Sequence, residues 1–317
     1  MKNLFKNCLT VIERDGWLTP LRFTEKQLDI YSKVDVTEIR SMAPSSVCLA
    51  FRSAAKTISF EYRIGKKARN WASFDVVVGD VLYKSTSLTE DSGSLTLSLS
   101  GNEELETLIY LPSLVCIEIK NITADAPLIP TEKKKKTWLA LGDSITQGMV
   151  AKKPSFSYVS LLSRYFDCEV INAGVGGIVF NAEELDYIGK EPDLITVALG
   201  CNDWGECDGE TLIQRVTDYV DKLLSIYKCR NIYAIIPIWR SDADSLKADM
   251  TFGEHREFIR RTYEKYPFIK IIDGYELVPK DFDFYGDDDR TQVHPNDLGF
   301  LYYSEALIKR LGLGNKL

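Results

Sequence analysis

The fold predicted for this chain depends most on the segment TWLALGDSITQG, residues 137–148. Its first six residues form a short apolar run, and a Gly-Asp-Ser sequence closes that run at Ser144. An apolar run of this length that ends in a turn is typical of a strand buried on both faces. The stretch therefore predicts a buried strand with a small hydroxyl at its carboxyl end.

Downstream of this strand, apolar runs alternate with amphipathic segments. The predicted strands are 168–174, 194–200, 231–238 and 269–273, and the predicted helices are 157–166, 210–227, 254–266 and 296–311. This alternation is the pattern of a parallel sheet covered by helices on both faces. Ligands bind such sheets beyond the carboxyl ends of the strands, so the residues that follow each strand carry the functional information.

Upstream, residues 45–125 have a period of two. The segment TISFEYRI, residues 57–64, places its apolar side chains on one face, and residues 94–101 do the same with three leucines. Gly79 and Asp80 stand between two β-rich runs and predict a two-residue hairpin. About seven short strands without helical periods between them predict an antiparallel β-sandwich, jelly-roll-like in type.

Pro130 and the lysine run 133–136 mark the change from one pattern to the other. We therefore predict a β-sandwich domain over residues 1–130 and an α/β domain over residues 131–317. The four lysines fit either a patch for an anionic ligand or a solvated linker, and the linker is the favoured interpretation.

The composition of the 317 residues excludes several classes of function. A net charge of −7 gives no cationic surface for nucleic acid. No apolar run is long enough for a membrane span, and the first residues lack the core of a secretion leader, so a cytoplasmic protein is expected. Seven scattered cysteines without CxxC pairs fit reduced thiols, and two histidines are too few for a His-rich metal site.

Four predicted strand ends carry chemically suggestive residues. They are Gly142-Asp143-Ser144, the segment 172–177 (NAGVGG), the segment 200–203 (GCND) and the segment 293–297 (VHPND). Each has an ordinary explanation on its own, because Ser caps helices, Gly and Asn form turns, and a His near a helix start is usually a surface residue.

Together these ends supply what acyl transfer requires. Ser144 is the candidate nucleophile, and His294 is the candidate base because His255 lies in a charged helical run typical of a solvated face. The backbone amides of Ser144 and Gly177 and the side-chain amide of Asn202 are candidate donors to an oxyanion. Asp143 is interpreted as a residue that shapes the turn.

In this order the four blocks resemble the signature blocks of the SGNH, or GDSL-type, hydrolases over roughly residues 137–312. The resemblance implies a flavodoxin-like α/β/α fold with neither metal nor organic cofactor. It also implies that Ser144 is the nucleophile, that His294 is the base, and that Gly177 and Asn202 complete the oxyanion hole.

The chain departs from this family at the position of the triad acid, three residues before the histidine, where it has Thr291. Three alternatives stay open: Asp288 or Asp289 takes the place of the acid, a backbone carbonyl or the Thr291 hydroxyl orients the ring, or activity is weak or absent. A Ser-His dyad oriented by a backbone or hydroxyl group is preferred, and Asp289 comes second.

A β-sandwich joined to an SGNH domain is similar to some carbohydrate esterases that lack the acid. This resemblance implies hydrolysis of O-acyl, chiefly O-acetyl, esters of a sugar or oligosaccharide. Acyl transfer, thioester or lysolipid hydrolysis, and sugar binding on a retired catalytic scaffold are the alternatives, and the oligomeric state is left open. Trp204 and Trp239 follow strand ends and either stack on a sugar or close the core. Cys201 is interpreted as an inert buried thiol.

Overall fold

The computed structural model describes residues 1–287, 292–312 and 317. Two antiparallel sheets occupy the first part of the chain, one with the order β1-β4-β9-β6-β7 and with β11 paired to β4, the other with the order β2-β3-β10-β5-β8. Their strands are β1 (Phe5–Lys6), β2 (Thr10–Arg14), β3 (Trp17–Leu21), β4 (Cys48–Arg52), β5 (Thr57–Lys67), β6 (Ser73–Val78), β7 (Val81–Ser87), β8 (Ser92–Ser98), β9 (Thr107–Tyr110), β10 (Val115–Ala124) and β11 (Ile129–Pro130).

The two sheets pack face to face as the period of two predicts. Ile58, Phe60 and Tyr62 of β5 are buried, and the residues between them are partly exposed. Phe60 meets Phe74 of the opposite sheet edge-to-face, with 5.1 Å between ring centroids. The predicted hairpin is confirmed, because Val78 pairs with Val81 across Gly79 and Asp80.

Two short helices lie between β3 and β4, where the sequence pattern predicted none: α1 (Glu25–Tyr31) and α2 (Asp35–Met42). Thr24 and Gln27 form a reciprocal capping box that starts α1. Phe23 and Tyr31 pack into the core of the later α/β part, and the side chain of Gln27 donates to the Glu184 carbonyl. The helix pair therefore packs against the α/β part of the chain.

A parallel sheet follows, with the order β13-β12-β14-β15-β18. Its strands are β12 (Thr137–Gly142), β13 (Glu169–Gly174), β14 (Leu194–Ala198), β15 (Ile232–Ile236) and β18 (Ile269–Asp273), and β16 (Leu246–Lys247) and β17 (Met250–Thr251) form a separate small hairpin. The helices are α3 (Ser144–Gln147), α4 (Tyr158–Tyr165), α5 (Gly209–Ile226), α6 (Phe252–Glu264) and α7 (Asp297–Leu311). This is the predicted flavodoxin-like strand order.

Successive side chains of each parallel strand point to opposite faces of the sheet and pack into two different hydrophobic cores. Leu139 and Val197 face α5 and α6 in one core, whereas Trp138 and Tyr233 face α4 and α7 in the other. The result is three layers, helices, sheet and helices, as expected for strands apolar on both faces. No helix of the described residues has the length and apolar character needed to cross a membrane.

Strand β12 pairs with β13 along one edge and with β14 along the other. The chain order reverses at this strand, and the carboxyl edge of the sheet there is the usual place for a ligand crevice. Ser144, Gly177 and Asn202 follow β12, β13 and β14 respectively. The topology thus gathers three candidate residues at one edge.

Between the antiparallel and the parallel sheets lies the lysine run. Lys134 forms ion pairs with Glu106 and Asp167, and Lys136 pairs with Asp193. Two of the four lysines are therefore neutralised by the protein itself, which favours a connecting segment over an anion patch.

Candidate active site

Ser144 stands at the first position of α3, directly after β12. Asp143 caps this helix, because its carboxylate accepts a hydrogen bond of 2.9 Å from the Ile145 amide. Burial raises the pKa of Asp143 to about 6, although the Ile145 amide opposes that rise. The cap fixes the strand-to-helix turn that carries the serine, which agrees with a turn-shaping role for Asp143.

His294 reaches both the serine and a carboxylate. Its Nε2 lies 2.8 Å from Ser144 Oγ, and its Nδ1 lies 2.6 Å from Oδ1 of Asp287. The other carboxylate oxygen of Asp287 accepts from the backbone amides of Val293 and His294, each at 2.7 Å. A hydroxyl, an imidazole and a carboxylate in series form the constellation of a serine hydrolase triad.

The electrostatics of this series favour the ionised form of the Asp287 carboxylate. Burial opposes ionisation of Asp287, but the His294 ring and the two backbone amides outweigh it and hold the pKa of Asp287 below its usual value. A carboxylate on Nδ1 fixes that nitrogen as the donor, which leaves Nε2 free to accept the serine proton.

Asp287, which holds Nδ1, was not among the predicted site residues. Asp289 and Thr291, the candidates for orienting His294, lie outside the described residues, as does Asp288. The preference for a dyad without a carboxylate was wrong, because Asp287 occupies Nδ1. The motive for a retired catalytic scaffold, a missing acid, disappears with it.

Backbone pairing explains why a residue seven positions before the histidine reaches its ring. Tyr285 and Pro295 form an antiparallel bridge, and the Gly286 amide donates to the His294 carbonyl at 3.1 Å. The segment therefore folds back on itself, and Asp287 comes to lie beside His294.

A hydrogen bond to Ile178, the residue after Gly177, joins Asn202 to the loop that carries Gly177. The Asn202 side-chain amide donates to the Ile178 carbonyl at 2.9 Å. Gly177 has a φ of +83° and is exposed, and its amide has no acceptor among the described residues. A positive φ turns the amide in a direction that a residue with a Cβ adopts only with strain. Both groups keep a hydrogen available for a ligand.

Two buried side chains hold this loop in place. Gln147 accepts from the Gly176 amide at 2.8 Å, which ties the loop to the serine helix. Asp203 accepts from the Phe180 amide, which ties it to the Asn202 side. Burial raises the pKa of Asp203 to about 6, against the effect of the Phe180 amide and Arg215. Preorganised donors of this kind are the structural basis of an oxyanion hole.

With this geometry in place, the comparison with protein families is decisive. The model of the GDSL-like lipase/acylhydrolase family matches residues 140–300, about half of the chain. The chain belongs to that family. No curated protein sequence matches this chain.

Solved structures share the whole architecture of this GDSL-family protein at low sequence identity. A salicylyl-acyltransferase, SsfX3, from a tetracycline biosynthetic pathway is 20% identical, with a TM-score of 0.80 over 97% of this chain and 93% of its own. A protein described as a GDSL-like lipase, from Bacteroides ovatus, is 18% identical, with a TM-score of 0.75 over 100% and 98%. A family two carbohydrate esterase from Clostridium thermocellum, solved with cellohexaose, is 15% identical, with a TM-score of 0.62 over 84% and 92%.

The family membership makes this chain an esterase or acyltransferase, and a carboxylic ester hydrolase by class. The structural neighbours confirm the fold predicted from the sequence, a parallel α/β/α unit preceded by antiparallel β-sheets.

Trp204 does not offer a ring face to a substrate in this GDSL-family protein. Its side chain is buried, and its Nε1 donates to the Met250 carbonyl at 3.0 Å. Phe252, Arg240 and Lys247 cover the ring. The prediction that it stacks on a sugar gives way to its second interpretation, closure of the core.

Trp239 is half-buried and packs edge-to-face on Tyr285, with 5.4 Å between centroids. Because Tyr285 pairs with Pro295, this ring lies close to the His294 segment. Trp239 therefore remains a candidate for substrate contact.

His255 was predicted to be solvated, and this was wrong. The ring is completely buried in α6, stacks on Phe252, and lies 2.7 Å through Nε2 from the Gly200 carbonyl. Burial lowers the pKa of His255 to about 4, so the ring is neutral at pH 7. Since a carbonyl only accepts, Nε2 carries the proton. The apolar side chains around it, Ile259 and Tyr263, follow at helical spacing and were the available signal.

Cys201 is buried, and burial raises the pKa of its thiol. This surrounding agrees with an inert thiol. Among residues 1–287, 292–312 and 317, no group of three or more His, Cys, Asp or Glu side chains is placed to hold a metal ion.

Proposed function

We propose that this protein is a serine esterase that hydrolyses O-acyl, chiefly O-acetyl, esters of a carbohydrate through an acyl-enzyme intermediate. The observation that carries the proposal is the series from Ser144 Oγ through His294 to Asp287, with separations of 2.8 and 2.6 Å. Hydrogen-bond contact between nucleophile and base, with the base oriented by a third group, is the signature of an activated hydroxyl.

In the first half of the reaction, Ser144 Oγ attacks the acyl carbonyl carbon while His294 Nε2 takes the hydroxyl proton. The carbonyl oxygen becomes an oxyanion, which accepts from the Ser144 and Gly177 amides and from Asn202. His294 then gives its proton to the departing sugar oxygen, and the C–O bond of the ester breaks. The acyl group stays on Ser144.

In the second half, water replaces the sugar. His294 takes a proton from the water, whose oxygen attacks the acyl carbon at the same oxyanion site. Collapse of the intermediate returns the proton to Ser144 Oγ and releases acetate. Throughout the cycle the ionised Asp287 stabilises the charged ring.

Support for a sugar alcohol comes from two sources. Carbohydrate esterases share the sandwich-plus-α/β architecture over 84% of this chain. The half-buried Trp239 also lies next to the His294 segment, where the face of an aromatic ring can pack against a pyranose.

Acyl transfer to another alcohol is the second candidate, because the salicylyl-acyltransferase shares the fold over nearly the whole chain. The two activities differ only in whether water or an alcohol resolves the acyl-enzyme. Product analysis with competing sugar acceptors separates them: acetate alone indicates hydrolysis, and an acylated acceptor formed in proportion to its concentration indicates transfer.

The proposal is tested by screening acetylated xylose, glucose and glucosamine derivatives for released acetate, with Ser144→Ala as the control. The expected result is release by the wild type, none above background by the variant, and labelling of Ser144 by a serine-directed phosphonate. Hydrolysis that persists in Ser144→Ala, or no hydrolysis of any sugar ester together with rapid cleavage of simple aryl esters, would overturn the serine mechanism or the sugar substrate respectively.

A further inference from the structure

A guanidinium from the N-terminal part of the chain lies against the loop of Gly176 and Gly177. A Cβ added to Gly177 would lie 2.9 Å from Nη1 of Arg40, and a Cβ on Gly176 would lie 3.1 Å from the same atom. Arg40 is in the last turn of α2 and is half-buried. A positive charge therefore stands beside the amide of the candidate oxyanion hole.

The backbone of Arg40 is anchored from two directions. Its carbonyl accepts from Gln147 Nε2 and from Arg22 Nη2, both at 2.9 Å. Arg22 is itself fully buried and also donates to the carbonyls of Asn172 and Gly174, which precede the same loop. The position of Arg40 is thus fixed relative to the catalytic serine helix and the glycine loop.

The guanidinium of Arg40 has no anionic partner within the described residues. The pKa of Arg40 is lowered, first by burial and second by the positive charge of Arg69. Within residues 1–287, 292–312 and 317, Arg69 donates only to the carbonyl of its own neighbour, Ala68. Two arginines close together and without a counter-ion are an unfavourable arrangement unless an anion joins them.

A cleft of about 590 Å³ lies beside Arg69 and reaches the aspartate of the triad. Its lining includes Arg69, Asn70, Trp71 and Lys152 together with Asp287. The Asp287 carboxylate accepts from His294 and from two backbone amides, and among the described residues it forms no ion pair with Arg40, Arg69 or Lys152. Lys152 likewise has no ion pair in the described part of the chain.

The cations next to Arg69 and Lys152 in the sequence do form ion pairs. Lys66 pairs with Glu38 and Lys67 with Asp91, just before Arg69, and Lys153 pairs with Asp297, just after Lys152. Of the five cations at positions 66, 67, 69, 152 and 153, only Arg69 and Lys152 have no ion pair within the described residues, and these two line the cleft. A guanidinium fork matches the paired oxygens of a carboxylate or phosphate.

We propose that Arg40 and Arg69 form a subsite for an anionic group of the substrate, a carboxylate or a phosphate, next to the oxyanion hole. The enzyme then prefers acidic esters to neutral ones of the same size. This inference rests on the proposed serine esterase activity and narrows its substrate class to esters that carry a carboxylate or a phosphate on the acyl or the alcohol side.

The experiment measures kcat/KM on matched pairs of esters. One arm places the charge on the acyl side, with mono-p-nitrophenyl succinate against p-nitrophenyl butyrate. The other places it on the alcohol side, with the O-acetyl esters of methyl glucuronoside, whose carboxylate is free, and of glucose 6-phosphate against that of methyl glucoside. The expected result is a preference of about tenfold or more for the charged member in one arm, since a charge-assisted hydrogen bond typically contributes that much.

Variants decide whether Arg40 causes the preference. In Arg40→Gln the ratio of charged to neutral kcat/KM falls to about 1, and in Arg40→Lys it falls to an intermediate value because the fork is lost and the charge is kept. The matched control is Arg63→Gln, an arginine that pairs with Glu118 in the β-sandwich, which keeps the wild-type ratio. A purely structural role for Arg40 would lower both kcat/KM values and leave the ratio unchanged.

Two outcomes overturn the subsite: a neutral ester preferred in every pair, or a preference for the charged ester that survives Arg40→Gln. Failure of the underlying activity gives a different result, because hydrolysis of both members of a pair would then persist in Ser144→Ala.

Discussion

The two histidines of the chain lie in opposite surroundings, although each contacts a strand-end segment of the same sheet. The side chain of His294 is 19% exposed and uses both ring nitrogens, one toward Ser144 and one toward Asp287. His255 is completely buried, uses Nε2 to hold the Gly200 carbonyl, and leaves Nδ1 without a partner. A histidine that transfers protons thus needs a ring that substrate can reach and a carboxylate that orients it. A buried neutral histidine instead holds a backbone carbonyl in place.

The largest expected effect separates the two rings by activity. His294→Gln removes the base, and kcat on p-nitrophenyl acetate should fall by about 10⁶, since nucleophile and base act as a unit. His255→Gln keeps a donor for the Gly200 carbonyl and should change kcat by less than about tenfold. Steady-state kinetics of both variants tests this, and comparable losses in the two would erase the distinction.

Asn202 connects the two histidines, because it lies two residues after the carbonyl that His255 holds and at the edge where His294 acts. Asn202→Ala removes one oxyanion donor, and kcat should fall by about 10² to 10³ with little change in KM. Measurement of kcat and KM separately checks it. A loss confined to KM would make Asn202 a ground-state contact instead.

The smallest effect is on stability and concerns pH. The pKa of His255 is about 4 in the folded protein and about 6.5 in an unfolded chain. Its contribution is fully present above pH 6.5 and is lost as pH falls toward 4, because the unfolded chain takes up a proton that the folded one refuses. Between pH 7 and pH 4.5 the free energy of unfolding should fall in both proteins. The fall should be smaller in His255→Gln than in the wild type, by about 2 to 3 kcal/mol. Urea titrations at both pH values measure it, and equal drops would show that the ring is not buried and neutral.

Regular elements of the α/β part were predictable because each strand is apolar on both faces and each helix is amphipathic. The bounds of β12 and β18 coincide with the predicted ones, and Ser144 follows the first of them. Periodicity of this kind is a local property, so it needs no knowledge of the rest of the fold.

Side chains that depend on pairing between distant segments were not predictable in the same way. Asp287 reaches His294 only because Gly286 pairs with the His294 backbone, and four further aspartates stand around it in the segment 281–289. Arg40 reaches Gly177 only because α1 and α2 pack on the α/β part. The capping box at Thr24 was a local signal for α1, but no local signal shows where that helix docks.

The most direct test of the central claim compares two neighbouring aspartates, Asp287→Ala and Asp289→Ala, by kcat/KM on one acetyl ester. We expect Asp287→Ala to lower kcat/KM by about 10⁴, as when a triad loses the carboxylate that orients its histidine, and Asp289→Ala to stay within about tenfold of the wild type. An Asp289→Ala loss as large as that of His294→Gln, with Asp287→Ala nearly as active as the wild type, would contradict the triad of Ser144, His294 and Asp287.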